Sequence, residues 1–87
     1  MKLVLVEWVD SHSGRGWRDI DRIKETDSLL HARSVGWLLR ETKEVILLAS
    51  HITGEDNGNI LLQASGDMCI PKVAVKKITV LKEPKKK

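Results

Sequence analysis

The sequence predicts an all-β domain built as a small five-stranded barrel, with a long first loop that can hold a short helix. Leu, Ile and Val supply 26 of the 87 residues, well above the share of roughly one-fifth that marks disordered chains. Short runs of strand-like alternation recur along the chain, separated by polar or glycine-containing turns, as in small barrels and sandwiches. A chain of this length has room for one core. We therefore expect a single domain over residues 1–82 and a flexible basic tail over residues 83–87.

The first strand is expected over residues 2–9, "KLVLVEWV". Its apolar side chains fall on both faces, which predicts a strand that is covered on both sides and lies centrally in the sheet. One face carries Leu3, Leu5 and Val9, and the other carries Val4, Val6 and Trp8.

The first loop follows at residues 10–16, "DSHSGRG", where polar residues and glycines break the strand pattern. The next stretch, "WRDIDRIKE", spaces Trp17, Ile20 and Ile23 three residues apart with charges between them. This spacing predicts one or two helical turns laid across the barrel opening.

The clearest strand is "HARSVGWLLRE" at residues 31–41, in which Val35, Trp37 and Leu39 alternate with the other face. Gly36 in its interior indicates a bend or the close approach of another backbone. A short link, "TK", leads to "EVILLASHI", and the two strands are expected to form a hairpin. "TGEDNGN" then predicts a turn around Asn57-Gly58.

The next strand is expected at "NILLQAS", and the following "GD" is expected to turn the chain again. Pro71 has no N–H to donate to a ladder, so it must lie at a strand end or edge. "PKVA" is expected to turn before "VKKITVL" forms the closing strand, with Ile78 and Val80 on one face and Lys77 on the other.

The spacing of Pro71, Val75 and Ile78 resembles the end of SH3-like barrels, where a single 3₁₀ turn follows the proline. An Sm-like closure needs the same strand count and patterning and stays an alternative. The chain departs from the SH3 domains that bind peptides, because it has no Tyr or Phe to line a groove for polyproline ligands.

Four stretches taken together, "VEWVDSHSGRGW", "SVGWLLRE", "ILLASHI" and "GDMCIPKVAVKKITVL", resemble a group of small bacteriophage and prophage proteins. That group has a Trp-containing first strand with a Ser-rich loop, a "VG-aromatic-L" strand, and "IPK" before a basic final strand. The resemblance extends from about Val6 to Leu81. It implies a phage or prophage origin and a fold, and it carries over no activity and no catalytic residue.

Charge is distributed unevenly along the chain. Residues 1–71 carry 8 Lys or Arg against 11 Asp or Glu, whereas residues 72–87 carry 7 Lys against Glu83. The single cysteine, Cys69, allows no intrachain disulfide, which favours a reducing compartment. The apolar start is too short for a signal peptide or a membrane span. We expect the cytoplasm of a bacterial host cell and no membrane partner.

The strongest candidate for a binding feature is "SGRGWR" in the first loop. An aromatic ring flanked by arginines can stack on bases and contact phosphates of single-stranded nucleic acid. The alternative, which we favour, is that Trp17 plugs the barrel end while Arg15 and Arg18 pair with nearby acids. Together with the basic final strand and tail, the residues that could bind nucleic acid or another partner are Arg15, Trp17, Arg18, Lys76, Lys77 and Lys82.

The remaining polar groups predict no catalytic, cofactor or metal site. His12, His31, His51 and Cys69 have no short spacing that would preorganise zinc, and Cys69 is expected to be buried. Neighbouring residues such as those in "DSH" cannot point at one another as a triad requires, so Asp10 or Ser11 is expected to cap the loop.

These observations predict a non-enzymatic binding or assembly module with a protein partner or a second copy as its ligand. No small-molecule substrate is evident. A small barrel that binds nucleic acid is the alternative.

Overall fold

The computed structural model describes residues 1–54 and 63–84. Along these ranges the chain forms β1 (Leu3–Asp10), α1 (Ile20–Lys24), β2 (Leu30–Glu41), β3 (Val45–Thr53), β4 (Gln63–Pro71), a 3₁₀ turn (Lys72–Ala74) and β5 (Val75–Val80). The five strands make one antiparallel sheet in the order β4-β3-β2-β1-β5.

The all-β class and the five strands are therefore confirmed. Over the described residues β4 and β5 are the outer strands and the sheet is open, so closure into a barrel stays a prediction. The predicted turn "TGEDNGN" and most of "NILLQAS" lie outside the described residues. β1 pairs with β2 on one side and β5 on the other, which confirms an interior strand, although β2 occupies the middle of the sheet.

The core lies on one face of the sheet, called here the inner face. Val4 and Val6 of β1, Ile46 and Leu48 of β3, and Ile70 of β4 are buried there. Partly buried side chains complete it: Trp8, Leu38, Val75 and Ile78. These residues belong to all five strands. Burial of their apolar side chains on one face therefore holds the outer strands β4 and β5 in the same folded unit.

β2 is long because it serves two partners. Its first part, up to Trp37, pairs with β1, and its last part, from Trp37 to Glu41, pairs with β3. Gly36 sits where the partners change and is buried. A Cβ at this position would lie 2.9 Å from the carbonyl oxygen of Ala49, which confirms the predicted close approach of another backbone.

The link between β2 and β3 is a tight turn, as predicted. The Oγ1 of Thr42 accepts hydrogen bonds from the N–H groups of Glu44, at 3.2 Å, and Val45, at 3.1 Å. The N–H of Thr42 in turn donates to the carbonyl oxygen of Val45 at 2.9 Å. One threonine side chain thus satisfies two backbone donors at the start of β3.

Pro71 ends β4, and the 3₁₀ turn follows it directly before β5, which confirms the prediction for this stretch. The predicted turn at "GD" is wrong, because Gly66 and Asp67 lie inside β4. Gly66 has φ of +68°, a conformation that glycine adopts readily. The positive φ of Gly66 therefore marks a local irregularity within the outer strand β4, and the chain does not reverse direction there.

Candidate binding surfaces

The first loop stands away from the core. The predicted short helix is present as α1, but none of its residues is buried. Trp17 is 105% exposed, Ile20 70% and Ile23 42%. The expectation that Trp17 plugs the end of the sheet is therefore wrong, and so is the placement of α1 across that end. The three-residue spacing correctly predicted a helical turn at Ile20 and Ile23. Trp17 precedes the extended residue Asp19 and lies outside α1, so the helical spacing does not reach it.

The loop is held by local hydrogen bonds. The Nε2 of His12 lies 3.0 Å from the carbonyl oxygen of Ser28, which joins the two ends of the loop. The carboxylate of Asp10 accepts a hydrogen bond from the N–H of Ser11 at 2.8 Å. The "DSH" residues thus contact backbone in two different places and do not converge on one another.

Within the described residues, Arg15 and Arg18 form no ion pair with the nearby acids, so that part of the expectation is wrong. Among the described residues the ion pairs are Glu7 with Arg33, at 3.4 Å, and Glu41 with Lys72. The guanidinium of Arg18 lies beside Gly14. A shallow cavity is lined by Trp17, Arg18, Asp19, Arg22 and Thr26, so Arg22, which the sequence pattern did not single out, joins the aromatic ring and Arg18 on one surface.

The three lysines of the predicted site are separated. Lys76 lines a cavity with Asp10 and Ser11 at the base of the first loop, and Lys77 lies opposite Glu7 of β1. Lys82 follows the other end of β5, where the N–H of Leu81 donates to the carbonyl oxygen of Leu3. At about 3.3 Å per residue, Lys82 is roughly 20 Å from Lys76. The six predicted residues therefore do not form one patch.

In residues 1–54 and 63–84, no group of three or more His, Cys, Asp or Glu side chains converges. Cys69 is exposed, so the expectation of a buried cysteine is wrong. Because side chains alternate along a strand, the burial of Ile70 in the core directs Cys69 to the opposite face.

That opposite face is the feature that sequence reasoning did not assign. Leu3 is opposite Trp37, and Leu5 is opposite Val35, on the side of the sheet away from the core. Val35 is 56% exposed, and Leu3, Leu5 and Trp37 are half-buried. We call the outer apolar face the surface formed by Leu3, Leu5, Val35, Trp37 and Leu47. The sequence indicated this face indirectly: β1 has apolar side chains on both of its faces, which predicted that both faces of the strand are covered.

Charged side chains border the outer apolar face. Glu7 lies opposite both Arg33 and Lys77 in the neighbouring strands. Arg40 lies opposite Leu47. The guanidinium of Arg33 contacts Glu7, although the Arg33 side chain remains 70% exposed. An apolar centre with a charged rim is the usual anatomy of a protein interface.

A further small cavity lies where β2 and β3 separate. It is lined by residues of β2, β3 and β4, among them Ser34, Leu48, Ser50 and Met68. None of its lining residues carries a titratable side chain.

Comparison with known proteins finds no matching family model, no matching curated protein and no matching solved structure. In the described part of the chain no helix has the length and apolar character needed to cross a bilayer.

Proposed function

We propose that this chain is a non-enzymatic assembly module that works by binding a second copy of itself. The observation that carries the proposal is the outer apolar face. Val35 is 56% exposed there, and Leu3, Leu5, Trp37 and Leu47 are half-buried. A contiguous exposed apolar surface with a charged rim marks a site of protein–protein interaction.

The position of the core supports the same conclusion. The sheet is apolar on both faces, and the core occupies one of them. A domain this small buries only about 60–65% of its unfolded surface when it folds alone, so covering the second face adds burial that the single chain lacks.

The finer fold proposed is an SH3-like barrel, with Sm-like closure as the alternative. The strand order, the long β2 shared by two partners and the 3₁₀ turn between β4 and β5 support it. Phage or prophage origin remains a proposal that rests on the four sequence stretches. The bacterial cytoplasm is proposed from the lone, unpaired Cys69.

The proposal predicts that thermal stability depends on protein concentration. Association favours the folded state by mass action, so the unfolding midpoint rises as an oligomer is concentrated. The measurement is a series of thermal scans of the full chain over a wide concentration range, in reducing buffer to keep Cys69 from cross-linking copies. A midpoint that does not move with concentration would contradict self-association.

Binding of single-stranded nucleic acid is the second candidate, and one observation favours it. Trp17 is fully exposed beside Arg18 and Arg22, and an exposed ring among guanidinium groups is how single strands are held by stacking and charge. The carboxylate of Asp19 on the same surface lowers the positive electrostatic potential there.

This candidate predicts binding of single-stranded DNA or RNA that weakens steeply with salt, because neutralised phosphates release counterions. The measurement is the anisotropy of a labelled oligonucleotide at two salt concentrations, with the full chain, a chain ending at Leu81 and the Trp17→Ala variant. Loss of affinity in Trp17→Ala alone would locate the strand on the loop, and loss on truncation would locate it at the tail. Absence of binding at low salt would exclude the candidate.

A further inference from the structure

A cavity of about 340 Å³ lies beside the irregularity in the β1–β5 pair. We call it the bulge cavity. It is lined by Glu7, Trp8, His31, Ala32, Arg33 and Lys76. None of these residues belongs to the outer apolar face or to the cavity at Trp17. Small-molecule sites in proteins occupy about 300–1,000 Å³, so the bulge cavity has room for a small ligand.

The irregularity places a lysine at this cavity. Glu7 is opposite Lys77, whereas the next residue, Trp8, is opposite Val75, so Lys76 is an extra residue in β5. A bulge takes its extra residue out of the regular alternation and re-aims a side chain, and bulges are enriched next to active sites. The side chain of Lys76 is exposed and lines the cavity.

Arg33 reaches the same cavity from β2. Its Nε lies 3.4 Å from the Oε1 of Glu7, and its side chain remains 70% exposed. Glu7 therefore orients the guanidinium group while leaving most of it accessible. An arginine binds phosphate through parallel N–H donors in a fixed planar geometry. An oriented, accessible guanidinium at a cavity is thus suited to hold a phosphate group.

Positive charge exceeds negative charge around the bulge cavity. Glu7 is the one carboxylate among its lining residues, against Arg33 and Lys76, and Lys77 lies opposite Glu7 in the neighbouring strand. In the part of the chain that the structure describes, Lys76 and Lys77 take part in no ion pair. Three cations against one carboxylate leave an excess of two positive charges. A phosphomonoester carries a charge of about −1.5 to −2 at pH 7, which matches this excess.

Trp8 gives the cavity a fixed apolar wall. Its indole N–H donates to the Oγ of Ser34 at 3.0 Å, which holds the ring in place, and the residue is half-buried. Ala32 adds further apolar surface. Ligand sites typically combine apolar and aromatic walls with a few polar groups that fix the orientation of the ligand. This wall favours a phosphate that is attached to a small organic molecule.

We propose that the bulge cavity binds a small phosphomonoester. Arg33 and Lys76 contact the phosphate oxygens, and Trp8 contacts the organic part of the ligand. Lys77 raises the positive potential at the site, and the imidazole of His31 supplies a further hydrogen-bonding group. The proposal does not rest on self-association, because all the lining residues come from one chain.

The test is an NMR titration of the ¹⁵N-labelled full chain at low salt with inorganic phosphate, a nucleoside monophosphate and the nucleoside alone. The amide signals of Arg33 and Lys76 are expected to shift with both phosphate probes and not with the nucleoside. The nucleotide is expected to bind more tightly than inorganic phosphate and to shift the indole signal of Trp8. Equal affinity for the two phosphate probes would overturn the contact with Trp8 and leave a site for free phosphate.

Matched substitutions locate the site. Arg33→Gln and Lys76→Gln each remove one charge from an exposed side chain and are expected to weaken nucleotide binding by about tenfold, as for the loss of one charged hydrogen bond. Lys43→Gln makes the same change in charge at an exposed residue between β2 and β3 and is expected to leave the affinity within about twofold, because salt screens a distant charge.

Two results would overturn the proposal. One is an equal loss of affinity in Lys76→Gln and Lys43→Gln, which would mean that binding follows net charge alone. The other is the absence of localised shifts at Arg33 and Lys76 with either phosphate probe. The spectrum of each variant also shows whether it is folded, so a loss of binding is separated from a loss of structure.

Discussion

Gly36 shows how a single residue permits the close approach of two strands. It sits where β2 changes partners, and a Cβ there would lie 2.9 Å from the carbonyl oxygen of Ala49 and 3.3 Å from the Cβ of Leu48. Real Cβ atoms essentially never approach a backbone oxygen this closely. The absence of a side chain therefore lets β3 lie against β2 at the point where the ladder begins.

The close contact at Gly36 predicts whether substitution by alanine raises or lowers the free energy of unfolding. In an ordinary strand Gly→Ala stabilises by about 0.4–1 kcal/mol, because it reduces the entropy of the unfolded chain. Gly36→Ala is expected to destabilise instead, by about 1–3 kcal/mol, because β3 must shift. Urea unfolding of the two chains measures the difference. A variant as stable as the parent or more so would contradict the close packing described for β2 and β3.

Trp8 and Ser34 provide a second test at the residue scale. The indole N–H of Trp8 donates to the Oγ of Ser34 at 3.0 Å across the β1–β2 pair. Ser34→Ala leaves this partly buried donor without its partner and is expected to cost about 1 kcal/mol. Ser50→Ala is the matched control, since its hydroxyl is exposed and its bond to Gly66 is 3.5 Å long; equal effects in urea unfolding would contradict the assignment.

At the scale of elements, the β2–β3 turn depends on Thr42. Its Oγ1 accepts from the N–H groups of Glu44 and Val45. Thr42→Val keeps the shape and removes the acceptor, and it is expected to lower stability by about 0.5–2 kcal/mol, as for the loss of comparable side-chain caps. Thr42→Ser keeps the oxygen and is expected to restore most of the loss. If both variants unfold at the same urea concentration, the hydroxyl does not stabilise the turn.

The elements also show what the sequence could predict. Pro71 was predicted to lie at a strand end or an edge, because the missing N–H is a property of the residue alone. Gly66 was misread as a turn because positive φ suits both a reversal and an irregularity inside a strand. The spacing of Ile20 and Ile23 predicted a helical turn correctly, since periodicity is local, whereas Trp17 lies outside α1. The spacing did not predict that these side chains are exposed, because tertiary contacts decide which surface an apolar side chain covers.

The candidate binding residues illustrate the same limit. Trp17 and Arg18 are neighbours in sequence and line one shallow cavity, whereas Arg15 is not among its lining residues. Lys76 and Lys82 were grouped by charge alone, and β5 holds them at opposite ends. The sequence did not identify the outer apolar face as a binding surface. Apolar residues on both faces of β1 predict that both faces are buried, but they do not show whether the same chain or another chain buries the second face.

At the scale of the whole molecule, we propose that a second copy covers the outer apolar face of the sheet. The core occupies the inner face, and on the outer face Val35 is 56% exposed. Association would supply the burial that one small core lacks, and it would protect the apolar outer face from nonspecific contacts.

The association state of the protein is measured by sedimentation velocity of the full chain over a wide concentration range, in reducing buffer. We expect a discrete species of twice the chain mass of 9.8 kDa that dissociates on dilution. A single species of the chain mass at every concentration would mean that the chain does not associate with itself.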